Sequence, residues 1–278
     1  MLQNIFTIGQ KIPFFSVKEY LSDKAPIPED IIYPRILTPR GLLVFGGPPK
    51  IGKSDFLISW LMHMAAGVSF LGMIPNKPMK VLCLQTEIDD GYLKERLQEL
   101  KLDKEFLDVG ANNFMITPRV QLSFSSEEID EIKNSLEDKC FKPNIIAIDP
   151  LRNIFNSGEY GNENDNSAML FFLQKTLERL RNVINPDSGI ILTHHTKKLS
   201  KKMLEEDPFQ GLSGAGSLRG FYTTGMVMFR KDEENREENG KEKTACQIVF
   251  ELRNGKHILR KTVDKIDGRW QFVDQWNS

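Results

Sequence analysis

The sequence predicts an α/β fold built on a largely parallel sheet with helices on both faces. Three observations carry that expectation. From Gly41 onward short apolar runs alternate with stretches of helical period; most of those runs are continuous in Val, Ile and Leu; and the last three follow one another without helices between them. Continuously apolar strands are buried on both faces, as parallel strands are, and strand–helix alternation is how parallel strands are joined. The three final runs are expected to form an antiparallel extension at the sheet edge.

Residues 1–40 carry Pro13, Pro26, Pro28, Pro34 and Pro39 with one short helix candidate, SVKEYL. Residues 1–37 therefore read as an arm that packs on its own core or on a neighbouring subunit, and residues 38–278 as one domain. GLLVFG is the first strand. It is followed by KSDFLISWLMHMAAG, where Phe56, Leu57, Trp60, Leu61 and Met64 recur at helical spacing and mark a buried face. KVLCLQTE, NIIAIDP and GIILTHH are further buried strands, separated by the helix candidates DGYLKERLQEL and SAMLFFLQKTLERLRNVI. TTGMVMFR, CQIVFELRN and RWQFVDQW close the order. KDEENREENGKEKT, with Asn239-Gly240 between apolar runs, reads as a solvated hairpin tip. KKLSKKMLEEDPFQGLSGAGS is too long for an ordinary connection and reads as functional or mobile.

Composition excludes several classes. With 278 residues, 40% hydrophobic and 27% charged, and 37 basic against 38 acidic side chains, the chain collapses into a core instead of staying disordered. A net charge of −1 also excludes a generally basic coat for nucleic acid, so any such contact must be a local patch. Cys83, Cys140 and Cys246 stand far apart without metal-ligand spacing, against zinc and against a disulfide framework. No apolar run reaches the roughly 20 residues of a membrane span. The expectation is a reduced cytosolic protein.

Residues 47–54, Gly-Pro-Pro-Lys-Ile-Gly-Lys-Ser, fit GxxxxGK[ST] between a strand and an amphipathic helix, the context of a phosphate-binding loop. Such a loop points backbone N–H groups into a concave turn at a helix N-terminus, where the dipole favours an anion. Pro48 and Pro49 have no N–H, so after Gly47 the donors are Lys50, Ile51, Gly52, Lys53, Ser54 and Asp55. Lys53 is expected to reach the β- and γ-phosphates of ATP, and the Ser54 hydroxyl to ligate Mg²⁺.

Hydrolysis needs more than a cradle. Asp149 ends a buried strand, where a carboxylate holds Mg²⁺ through water, unless it only caps the next turn. Glu87 ends another; it reads equally as a base for the attacking water or as a solvated strand end. His194 and His195 end a third, either reading a phosphate by hydrogen bonding or serving structure alone.

Taken in order, the loop, a strand ending in Glu, one ending in Asp, one ending in His-His and then a Gly/Ser-rich segment resemble the RecA-type core of hexameric replicative helicases. The resemblance is closest to the small plasmid RepA-type helicases and covers about residues 30–260. It implies a RecA-like fold with Glu87 as catalytic base, Arg96 as the arginine of the following helix, Asp149 as the Walker B carboxylate and His195 as phosphate sensor. GAGSLRGFYTTGMVMFR followed by FELRNGK looks like the DnaB-type helicases, where a lysine and an arginine two residues apart reach the neighbouring subunit's nucleotide. The arginine falls on Arg253; Glu251 stands at the lysine position, leaving Lys256 or Arg230 as replacements.

Lys197, Lys198, Lys201 and Lys202 follow the His-His strand, with Arg219 beyond Gly211, Gly214, Gly216 and Ser217. The resemblance makes this the loop that faces the ring axis and binds single-stranded DNA. Lysines and backbone amides suit phosphates without sequence preference, with Phe209, Phe221 or Tyr222 as the available stacking rings, although Glu205, Glu206 and Asp207 partly neutralise the patch. The resulting expectation is an ATP- and Mg²⁺-dependent helicase or translocase in a homo-oligomeric, hexameric ring. The alternatives are a RecA-like ATPase without unwinding, such as a recombination mediator or loader, and a nucleotide-dependent switch acting through a partner.

Overall fold

The computed structural model describes residues 13–155, 165–197, 200–212, 215–230, 237–238, 241–242 and 245–273. The chain runs through α1 (Val17–Ser22), β1 (Ile32–Tyr33), β2 (Leu42–Gly47), α2 (Lys53–Ala66), β3 (Ile74–Pro75), β4 (Val81–Gln85), α3 (Asp90–Gln98), α4 (Lys104–Asn113), β5 (Phe114–Ile116), α5 (Ser126–Glu137), β6 (Ile145–Asp149) and α6 (Leu151–Ile154). Then come α7 (Asn166–Phe171), a π-helical stretch over Phe172–Leu177, α8 (Glu178–Ile184), β7 (Gly189–His195), α9 (Lys201–Glu206), a 3₁₀ turn at Pro208–Gly211, α10 (Ala215–Phe221) and β8 (Thr224–Phe229). The chain closes with β9 (Glu237–Glu238), β10 (Lys241–Glu242), β11 (Cys246–Leu252), β12 (Lys261–Ile266) and β13 (Arg269–Phe272).

Nine strands form the main sheet in the order β13-β12-β11-β8-β2-β7-β6-β4-β5. From β8 to β5 every neighbouring pair is parallel, and the three strands beyond β8 are antiparallel. The expected antiparallel extension is present, with two corrections. Its first expected member, β8, pairs in parallel with β2, because the long segment after β7 is itself a helical crossover made of α9, the 3₁₀ turn and α10. Moreover β12 is a strand that no apolar run announces: only Val263 in it is buried, as suits a strand near the sheet edge.

Each face carries its own apolar cluster. On one, Phe56, Leu57, Trp60, Leu61 and Met64 of α2 join Ile32, Ile36 and Leu37, the root of the N-terminal arm. On the other, Met169, Phe172, Leu173, Leu177 and Leu180 of the α7–α8 segment join Leu212, Leu218 and Tyr222. The arm is divided. Ile31, Ile32, Ile36 and Leu37 are core, whereas α1, started by a Ser16–Glu19 capping box, buries no residue and leaves Val17 and Leu21 exposed, as is Phe14 before it. The β9–β10 pair is antiparallel, as the expected hairpin requires, while Asn239 and Gly240 lie outside the described residues. No described helix is long and apolar enough to cross a membrane.

Candidate active site

Parallel pairing brings four strand ends side by side. Gly47 of β2 is level with His195 of β7; β7 flanks β6; and Asp149 at the end of β6 is level with Gln85 of β4. The phosphate loop, His195, Asp149 and Glu87 therefore stand in a row along the carboxyl edge of the sheet, where open α/β sheets bind ligands.

The loop depends on two glycines. A Cβ on Gly47 would lie 2.8 Å from the Met228 carbonyl oxygen and 3.2 Å from Lys53 Cδ, so the side chain of Lys53 passes through space that any other residue would fill. Gly52 has φ +97°, in the left-handed region, and N-caps α2 without a side-chain cap, leaving the first-turn amides to a ligand. Ile51 is buried in the core beneath, which anchors the loop.

Lys53 is 6% exposed, and its Nζ donates to the Gly47 carbonyl at 2.8 Å, to the Pro48 carbonyl at 2.9 Å and to His195 Nδ1 at 3.3 Å. Burial pushes its pKa down to about 8 against the opposing pull of Asp149 and Glu87. His195 is lowered too, by burial and then by the charges of Lys53 and Arg152, so it is neutral at pH 7. Because an ammonium can only donate, Nδ1 is the acceptor and the ring proton sits on Nε2.

Asp149 is buried and accepts the Thr193 hydroxyl, while its backbone carbonyl accepts Thr86 N–H at 3.0 Å. Glu87 has a raised pKa, first from burial and next from Asp149, offset by Lys53, a hydrogen bond with Asn153, and Arg152. Its backbone is fixed by Gln85, whose Oε1 accepts from Glu87 N–H at 3.2 Å and Ile88 N–H at 2.8 Å and whose Nε2 donates to the Thr117 carbonyl at 2.9 Å. The Asp55 carboxylate is held away from the role expected of its amide by Lys265 Nζ at 2.7 Å and Trp270 Nε1 at 3.0 Å. The Ser54 hydroxyl and Asp149 carboxylate are oxygen donors of the kind Mg²⁺ takes with phosphate and water. With the amide-lined loop, the residues present fit a Mg²⁺–nucleotide.

Arg96 lies half-buried in the last turn of α3, on the helix after Glu87. Arg253 is elsewhere. β11 runs antiparallel to β8, Leu252 is level with Thr224, and Arg253 N–H reaches the Thr223 carbonyl at 2.9 Å, at the level where β2 begins. The five steps from Leu42 to Gly47 amount to roughly 17 Å at ~3.3 Å per residue. Arg253 thus occupies the edge opposite the chain's own phosphate loop.

Of the expected lysines, Lys197 and Lys202 are exposed, the latter 3.8 Å from Glu206; Lys198 and the side chain of Lys201 lie outside the described residues, as does Gly214. Arg219 is held by Asp207 and Glu251. The expected stacking rings are otherwise engaged: Phe209 and Tyr222 are buried and Phe221 packs against the same cluster, because the crossover needs apolar side chains to cover the sheet. Sequence reasoning missed Gln85, Thr193, Asn153, Lys265 and Trp270. The first two carried a signal, since a polar residue inside a buried strand must find a hydrogen-bond partner.

Residues 10–201 match the family model described as AAA domain. Among solved structures the chain is similar to one whose title describes an ATPase domain, at TM-score 0.56 and 14% identity over 85% of this chain and 86% of that one. It is also similar to "Crystal structure of the RadB recombinase", at TM-score 0.53 and 13% identity over 86% of this chain and 93% of that one. At these identities the likeness is one of fold, and that fold is RecA-like. No curated protein sequence matches the chain.

Proposed function

The chain belongs to the AAA domain family, with a RecA-like P-loop ATPase fold, and on that premise we propose that it is an ATP-driven, ring-forming translocase or helicase on single-stranded DNA. The observation that carries this reading is the separation of Arg253 from its own phosphate loop. An arginine at the far edge reaches a nucleotide only if that nucleotide is bound by another chain.

In this reading the loop amides and Lys53 hold the phosphates, and Ser54 and Asp149 hold Mg²⁺, which when bound neutralises the charge developing on the transferred phosphoryl group. Glu87 takes the proton of the attacking water; its raised pKa makes it a better base than an exposed carboxylate. Asn153 and Gln85 keep it in place. His195, neutral and protonated on Nε2, offers a donor beside Lys53, and Arg96 follows on the next helix. Arg253 of a neighbouring chain completes the site; such a finger is worth on the order of 10³ to 10⁵ in rate. Lys197 and Lys202, exposed directly after the β7 strand end, support contact with DNA phosphates, and with them we place Lys198 and Lys201.

A second reading keeps the ATPase and removes unwinding, as in a recombination mediator or loader. It is favoured by Glu251 at the position of the resembled lysine and by the ion pairing of Arg219, both of which reduce the free positive charge. ATP turnover with and without single-stranded DNA, together with strand release from a forked duplex, separates the two. The first predicts DNA-stimulated turnover and ATP-dependent release; stimulation without release selects the second. A monomer with full turnover under every condition would overturn the first, because it removes the shared site on which that reading rests.

A further inference from the structure

At the sheet edge that carries Arg253, several side chains close around one carboxylate. Glu251 Oε1 accepts from Arg219 Nε at 3.0 Å and from the Tyr222 hydroxyl at 3.1 Å, and its Oε2 accepts a second guanidinium bond. The other arm of the Arg219 fork donates to Asp207 Oδ2 at 2.7 Å, and the guanidinium lies 5.7 Å from the centre of the Phe209 ring. A fork satisfied in this way is a geometrically specific clamp, since each bond fixes both the distance and the plane of the guanidinium.

The clamp holds α10, which connects three parts of the molecule. Ser217 Oγ donates to the Asn166 carbonyl of α7 at 2.7 Å, on the segment that follows β6 and Asp149. Asp207 is the C-cap of α9, on the segment that follows β7 and His195. At its far end α10 offers the Gly220 carbonyl to the guanidinium of Arg253, whose own amide donates to Thr223 just beyond. The seat of Arg253 is therefore made of α10 backbone, and α10 is held against β11 by Glu251.

We propose that Glu251 is a positioning residue for Arg253: through Arg219 and Tyr222 it fixes α10 against β11 and so sets where the Arg253 guanidinium is presented to the neighbouring chain. The inference rests on the reading of Arg253 as a residue that acts on another chain's nucleotide. It gives an account of the carboxylate where the resembled helicases have lysine: the position supplies an internal anchor instead of a second cation. Because Asp207 shares Arg219, the same clamp ties the segment after β7 to the presented arginine.

The test is a double-mutant cycle on steady-state ATP turnover in the assembled, DNA-bound protein, using Glu251→Gln, Arg253→Ala and the pair. Misplacing a catalytic group by about 1 Å costs about 10²-fold. Glu251→Gln is expected to lower kcat by about that factor with KM for ATP little changed, and to have no further effect once Arg253 is alanine. Arg219→Lys, which keeps the charge but loses the fork, should show the same pattern more weakly, and it carries the test if Glu251→Gln fails to fold. Glu251→Lys should also lower kcat; a rise would show that the position faces the nucleotide directly and would overturn the proposal. So would an effect of Glu251→Gln that persists undiminished without Arg253, or full kcat in Glu251→Gln and Arg219→Lys while Arg253→Ala is impaired. If Arg253→Ala alone leaves kcat intact, the shared site itself is wrong.

Discussion

Lys53 gives the site a pH dependence that runs in opposite directions for binding and for stability. With its pKa near 8, raising the pH from 7 to 9.5 removes the ammonium that faces the phosphates. Nucleotide affinity should then fall by up to about tenfold per unit above pH 8. A titration of a fluorescent ATP analogue across that range checks this, and Lys53→Arg, which keeps its charge, should flatten the slope. Without nucleotide the sign reverses. Between pH 8 and the ordinary lysine value the unfolded chain holds a proton that the folded chain has lost, so this residue's contribution to stability grows as pH rises. For Glu87, substitution by Gln should lower turnover by about 10² to 10⁴ while nucleotide binding persists; turnover surviving in Glu87→Gln would assign the base elsewhere. Residues at strand ends were legible in the sequence only as candidates, since a charged residue closing a buried strand also reads as a solvated end or a turn cap; parallel pairing is what lines them up. Their supports were less so. Gln85 and Thr193 stand out once a buried polar group is required to have a partner, but the sequence does not say that the partner of Thr193 is Asp149.

At the scale of elements, the β12–β13 hairpin braces the phosphate loop from the side. Trp270 meets Phe56 edge to face at 5.1 Å and donates to Asp55 in the first turn of α2, while Lys265 completes the pair. Trp270→Ala should cost about 3 kcal/mol, the lower end for removing a large aromatic from a packed site. It should also weaken nucleotide binding by loosening that first turn. Denaturant unfolding and a nucleotide titration measure the two effects, and loss of stability with unchanged affinity would limit the hairpin to a packing role. The run RWQFVDQW was expected as a strand and is β13, but its partners were not legible beforehand. The partners are more than two hundred residues apart, and β12 buries only Val263, so neither periodicity nor motif marked it. The parallel β8 was misassigned for a related reason: three short helical pieces broken at Asp207 and Leu212 do not make a sustained helical period, yet together they form the crossover.

Across the whole molecule the functional features divide between two edges. The phosphate loop, Glu87, Asp149 and His195, the proposed catalytic set, lie at one, and Arg253, the proposed finger, with its clamp at the other. Mixing Lys53→Ala with Arg253→Ala protein should therefore restore turnover that neither has alone, because some neighbours then pair an intact loop with an intact arginine. No recovery on mixing, in assemblies shown to exchange chains, would refute the shared site. Contact with single strands should be modest and salt-dependent, with a log–log slope of about −0.7 per phosphate neutralised. Lys197→Ala and Lys202→Ala should reduce that slope in a salt series.

Placing the arginine and the loop on opposite edges also fixes the arithmetic of assembly. A contact that joins one edge to the other is head-to-tail, so its repetition either closes or leaves two unlike ends. If Arg253 acts on a neighbour's nucleotide, as proposed, a solitary chain contains no complete catalytic unit. An open row always has one loop and one arginine unused, and only a closed circle gives every member a full complement. Turnover per chain should accordingly climb with concentration and level off at closure, which makes hydrolysis itself a gauge of how many neighbours each molecule has.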